Sequence, residues 1–309
     1  MSTLTKKSRA WLLAGAAVGV ASVLAACATM GGGGSGSSVA KWPSQADVVS
    51  PSPAFTADGL AALDAKMKEA VDKGQVAGVQ YLVFKDGKVA DYKIFGSQSV
   101  GGPPITENTL FRIRSMSKPI TGVAMMQLYE KGLWKPDDPI SKFLPELAHL
   151  KVAPNNGNDM DHLVDASHVP TMRELFTHTA GFGYGLSAAT AVDRAFIERS
   201  PMYEKDMNAM VKRVAEIPLL AQPGTKWSYS IGIDVQGAII EKLSGMSFGE
   251  YLKKNVFSPL GMNDSGFWLT DKDRARFATV YQRNNETGKL DEFPDPEGRT
   301  FFKKDHEES

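Results

Sequence analysis

The chain has 309 residues, 42% of them hydrophobic and 23% charged, with 35 Lys+Arg against 35 Asp+Glu. It is apolar enough to pack a core, and too evenly charged to present the broad basic surface of a nucleic-acid binder. The single cysteine, Cys27, excludes an intrachain disulfide and a cysteine-based zinc or iron–sulfur site.

The first ten residues carry Lys6, Lys7 and Arg9 and no acid, and an apolar run from Trp11 to Ala26 ends at Leu24-Ala25-Ala26-Cys27. A charged start, an apolar middle and small residues before a cut are the marks of a secretory signal. The Leu-Ala-Ala-Cys ending resembles the bacterial lipobox. That resemblance implies a signal peptide over residues 1–26, with Cys27 as the lipidated first residue of the mature chain. It further implies export and a lipid anchor in the bacterial cell envelope. Ala28 stands where Asp would favour inner-membrane retention, which favours the outer membrane or the periplasmic face. Residues 27–54 read as a tether, since Gly31 to Ser38 is GGGGSGSS and the stretch to Pro53 stays polar. The folded domain is expected over 55–309.

Leu60, Leu63, Met67 and Val71 recur at helical spacing and predict an amphipathic helix ending near Gly74. Val79 to Phe84 reads as a strand, Asp86-Gly87 as a hairpin turn and Lys88 to Phe95 as the returning strand. A helix followed by an antiparallel hairpin opens an α+β fold rather than a βαβ repeat. A helix follows Ser115, with Ile120, Val123, Met126 and Leu128 on its apolar side and Gly132 ending it. Residues 151–168 read as a solvated excursion. Helices are predicted over about 190–216 and 233–244, so 124–225 reads as a mostly helical subdomain.

Ser115-Met116-Ser117-Lys118 lies at the start of the helix that Pro119 continues. Proline is tolerated in a first helical turn, and residues three apart share a face. Serine needs a base within hydrogen-bond reach to act as a nucleophile, and a lysine amine serves if burial makes it neutral. The N–H groups of a helix start can support a developing oxyanion. S-x-x-K alone is weak, because a serine cap followed by a solvated lysine gives the same letters.

The neighbouring residues narrow the reading. The stretch Leu110 to Leu147, with its Ser-Met-Ser-Lys-Pro core, resembles the serine β-lactamase-like family, in the class C-type and family VIII carboxylesterase branch. Pro170 to Gly181, containing Thr177-His178-Thr179-Ala180-Gly181, is similar to that family's LLTHTSG stretch. Pro223 to Ser230 resembles the segment of its catalytic tyrosine, and Ser258 to Ser265 its PLGM turn. The resemblance implies an α+β β-lactamase/transpeptidase-like fold: an antiparallel sheet flanked by helices, with a helical subdomain. It implies that Ser115 is acylated, Lys118 activates it and Tyr229 shares or relays the proton. No cofactor or metal is required, and the expected partner is a small-molecule ester or amide substrate.

Two departures from the family pattern bear on function. The tyrosine motif Y-x-N is Tyr229-Ser230-Ile231 here, and losing the asparagine favours esters over β-lactams. Ser230 is expected to offer substrate a hydroxyl, with Asp234 hydrogen-bonded near it. The family's late K-T-G, H-T-G or W-G-G motif, whose strand supplies a second oxyanion donor, is not found; Glu286-Thr287-Gly288 reads as a hairpin turn. The expectation is a C-terminally truncated member without a complete oxyanion hole.

Gly245-Met246-Ser247-Phe248-Gly249 matches G-x-S-x-G, but helical spacing precedes it and Glu250 follows Ser247 by three, a capping box. His178 reads as structural, and no Ser-His-Asp set or metal motif is apparent. The leading expectation is a serine hydrolase, most simply a carboxylesterase on short-chain esters. The alternatives are a β-lactamase or D-Ala-D-Ala-type peptidase, or a catalytically incomplete relic or binding protein on the same scaffold.

Overall fold

A computed structural model of the chain describes residues 42–293. The expected signal peptide 1–26, Cys27 and the Gly31–Ser38 linker lie outside the described residues. Thr56 opens α1 (Ala57–Asp72) by accepting the Gly59 N–H on its hydroxyl at 3.1 Å. Strands β1 (Gly78–Lys85) and β2 (Lys88–Gly96) pair antiparallel around Asp86 and Gly87, whose φ of 50° and 75° are the two left-handed residues of a tight hairpin turn. Val89, Ala90, Asp91 and Tyr92 of β2 are buried. Asp91 pairs with Lys93 at 2.8 Å, and the Tyr81 hydroxyl bridges it to Asp64 of α1. A polar clasp thus joins α1 to the hairpin.

The residues just before α1 belong to this domain too. Val49 N–H donates to the Val89 carbonyl at 2.9 Å, and the Trp42 indole N–H donates to the Leu260 carbonyl at 3.0 Å. The compact unit therefore begins by Trp42, within the stretch expected to be tether.

Helix α2 (Ser117–Glu130) buries Ala124, Met125 and Leu128. The 151–168 segment is less solvated than its asparagines suggest: β3 (Lys151–Val152) pairs with β4 (Val164–Asp165), and Val152 and Ala153 are buried. Thr171 and Glu174 form a capping box at α3 (Met172–Phe176). The single helix predicted over 190–216 is two, α4 (Ala191–Arg199) and α5 (Met207–Ala215). Ser200, with φ of 47°, and Pro201 separate them, because proline cannot donate to the preceding turn and clashes with it. Helix α6 (Gly232–Ser244) is followed by α7 (Phe248–Leu252), which Ser247 caps by accepting the Glu250 N–H at 3.3 Å. The G-x-S-x-G serine is thus a helix cap between two helices. Glu286-Thr287-Gly288 lies in the turn between β5 (Tyr281–Arg283) and β6 (Leu290–Glu292).

One apolar cluster runs from Ala124 to Phe257. The helical body therefore continues past the expected limit at 225 and takes in α6 and α7. Within it α2 packs on α6, which brings the start of α2 beside the residues that lead into α6.

Candidate active site

Ser115 lies in the 3₁₀ turn Arg114–Met116 that runs into α2, and it is exposed. Arg114 has φ of 43°, a left-handed conformation that costs a non-glycine residue about 1–3 kcal/mol. Its guanidinium stacks over the Phe293 ring at 5.0 Å. Lys118 follows one turn later on the same face, half-buried, with Nζ 3.5 Å from Ser115 Oγ.

Tyr229, three residues before α6, completes the group, with Oη 2.7 Å from Ser115 Oγ. Lys118 Nζ lies 4.6 Å above the Tyr229 ring. Burial pushes the Tyr229 phenol up, but hydrogen bonds with Lys118 and Ser115 and the lysine charge outweigh it, and the phenol falls below its ordinary value. A hydroxyl, a phenol and an ammonium therefore share one small volume, and a proton on any of them has an acceptor within reach.

Ser230 is not where a substrate contact requires it. It is 2% exposed, and its Oγ is 3.0 Å from His178 Nδ1 and accepts the Gly232 N–H at 3.3 Å. The expectation that Ser230 offers its hydroxyl to substrate is corrected on that ground: the side chain turns inward and holds His178. The Ser230 backbone N–H also donates to His178 Nδ1 at 3.2 Å, which requires a neutral imidazole with an unprotonated Nδ1. Burial, then the Lys118 charge, lower the pKa of His178 in the same sense. The imidazole lies against the Tyr229 ring, centroids 5.0 Å apart, and so supports it. Gly181 makes this loop possible: its φ is 87°, and a Cβ there would lie 2.2 Å from the Ala221 carbonyl oxygen.

Asp234 also differs from expectation. Burial pushes its carboxyl up, against the Lys118 charge and the Tyr184 hydroxyl, while the Ser230 hydroxyl is engaged with His178 and Gly232. Tyr184 was not singled out by any motif, yet its Oη is 3.5 Å from Lys118 Nζ. The available signal was a tyrosine set between glycines, in Gly181-Phe182-Gly183-Tyr184-Gly185. Among the described residues, no group of three or more His, Cys, Asp or Glu side chains is arranged to hold a metal ion.

Residues 63–301 match the family model described as Beta-lactamase. The chain belongs to the β-lactamase family. It is similar to the esterase EstB of Burkholderia gladioli, 32% identical over 235 residues that cover 74% of this chain and 57% of that protein. It is similar also to Protein Rv1367c of Mycobacterium tuberculosis, 31% identical over 223 residues that cover 72% of this chain and 55% of that one. Among solved structures, EstCE1, described as a hydrolase with promiscuous acyltransferase activity, matches with a TM-score of 0.63 at 26% identity, over 76% of this chain and 59% of that chain. The fold is accordingly the α+β β-lactamase type, and the relatives fall in the serine, carboxylesterase branch. The chain spans a little over half the length of the curated relatives it matches.

Proposed function

We propose that this protein is a serine hydrolase that forms an acyl-enzyme at Ser115 and cleaves short-chain carboxylic esters. The observation that carries the reading is the 2.7 Å approach of Tyr229 Oη to Ser115 Oγ, with Lys118 against both. Ser115 Oγ attacks the ester carbonyl carbon while its proton passes to the Tyr229–Lys118 pair. The pair returns that proton to the departing alkoxide, which leaves as an alcohol. Water then attacks the acyl-enzyme by the same route and releases the acid. Met116, next to the serine in sequence and 70% exposed, and Trp227, edge-on to His178 and 64% exposed, offer apolar surface for the two substituents of an ester.

The β-lactam reading is disfavoured by one residue. Ile231, at the position of the Y-x-N asparagine, is fully buried and presents no amide to a substrate.

The test is intact mass after incubation with a fluorophosphonate probe, followed by assays with p-nitrophenyl esters and with a chromogenic cephalosporin. One adduct is expected on the wild type and none on Ser115→Ala. Tyr229→Phe is expected to label about 10²-fold more slowly or worse. Folded wild-type protein that takes no adduct overturns the reading.

We also propose that residues 1–26 direct export and that Cys27 carries a lipid, a reading supported by the Leu24-Ala25-Ala26-Cys27 pattern. In a bacterial host the full chain is expected in the membrane fraction and Cys27→Ser in the soluble one. Identical fractionation of the two sinks the idea.

A further inference from the structure

His178 stands on the loop after α3 and takes no part in the proton transfers above. Its backbone φ is 57°, a left-handed conformation that a non-glycine residue keeps only where its surroundings over-determine it. Those surroundings are four successive residues of the segment leading into α6. The Trp227 ring stands edge-on to the imidazole with centroids 6.1 Å apart, and the Tyr229 ring lies against it at 5.0 Å. Ser228 N–H donates to the His178 carbonyl at 2.9 Å, and Ser230 N–H donates to His178 Nδ1 at 3.2 Å. One residue thus holds Tyr229 by its neighbour on either side and by the face of its ring.

These hydrogen bonds fix a protonation state as well as a place. Ser230 Oγ accepts the Gly232 N–H at 3.3 Å and so has its own proton free for Nδ1, 3.0 Å away. Nδ1 therefore faces two donors from one residue. If the imidazole gains a proton, the hydroxyl can turn and accept it, but the backbone N–H cannot. Two N–H groups then point at each other across 3.2 Å, and the ring must move away from residue 230. Among the described residues, Lys118 of α2 and Tyr229 are the titratable groups that bear on the ring. Burial first, then the Lys118 charge, oppose a second cation there.

We propose that His178 is a positioning residue: as a neutral imidazole it fixes Tyr229 Oη against Ser115 Oγ, and on protonation it releases Tyr229 and with it the reactivity of the serine. The inference rests on Ser115 being the nucleophile and Tyr229 its proton partner. What is at stake is the 2.7 Å contact between those two oxygens. Displacing a group at the reacting centre by about 1 Å costs on the order of 10²-fold in rate. Two protonations therefore act on the acid side of the pH profile. One falls on the Tyr229–Lys118 pair, which must be free to take the serine proton, and the other on His178.

The experiment is the rate of fluorophosphonate labelling against pH, read by intact mass, for the wild type, His178→Asn and His178→Phe, with folding checked by circular dichroism at each pH. The logarithm of the wild-type rate is expected to fall toward acid with a slope of about one, steepening toward about two below the ordinary imidazole value of about 6.5. Asparagine tolerates the left-handed backbone, offers an amide oxygen in place of Nδ1 and does not titrate. His178→Asn lacks the ring face and is expected to label more slowly, but with a slope of about one throughout. His178→Phe keeps a ring and loses the acceptor, and is expected to label about 10²-fold more slowly at every pH. A wild-type slope that never steepens overturns the inference. So does steepening that survives in folded His178→Asn, or folded His178→Phe labelling at the wild-type rate. The wild-type slope carries the test if neither variant folds. No adduct on the wild type at any pH overturns the nucleophile reading and this inference with it, whereas the other failures leave that reading standing.

Discussion

Gln236 follows Asp234 by two on α6, is fully buried, and has no hydrogen-bond partner on either amide atom. Such a group costs stability of about 1–3 kcal/mol, and an apolar side chain of similar volume removes that cost. Gln236→Leu is expected to raise the urea midpoint by the equivalent of about 1–2 kcal/mol and to leave probe labelling unchanged. A midpoint at or below the wild type refutes the assignment of strain to this amide. At this scale the sequence was informative where chemistry and local spacing coincide. Ser115 and Lys118 share a face because three residues make nearly one helical turn. Tyr184 lies 66 positions from Lys118, and no local rule joins them. Ser230 adjoins Tyr229 in sequence, but its side chain points into the fold, a direction that motif resemblance alone does not fix.

Elements were legible wherever one periodicity ran uninterrupted to a stop signal. The spacing of Leu60, Leu63, Met67 and Val71 gives α1, and Asp86-Gly87 gives the hairpin, because an I′ turn requires two left-handed residues. The 190–216 reading failed because apolar residues recur on both sides of a break. Val192 and Phe196 are buried from α4, and Met210, Val211 and Val214 from α5. Pro201 was the decisive letter, and a proline inside a helical pattern should have outranked the periodicity. The tether boundary failed for another reason. Trp42 is tied to Leu260 across 218 positions, and polar composition carries no trace of such a contact. Residues 151–168 show the same limit, since their burial comes from long-range packing: Ala153 N–H donates to the Leu219 carbonyl at 2.9 Å.

Across the whole molecule, the helical body carries the continuous core, and the candidate site sits at its margin where α2 meets the approach to α6. Ile231, the N-cap of α6, belongs to that core and is fully buried. An asparagine there, as in the Y-x-N pattern, would place an amide among apolar neighbours at a cost of roughly 2–7 kcal/mol. Domains of this kind are stable by only about 5–15 kcal/mol. Ile231→Asn is expected to lower the urea midpoint sharply and to give no cephalosporin turnover; a well-folded variant with turnover would contradict this. The consequence is historical. On this backbone an amide at position 231 has no single-step route to a substrate, because the substitution weakens the protein before the amide can face one. Any such change must therefore begin with repacking beneath the start of α6.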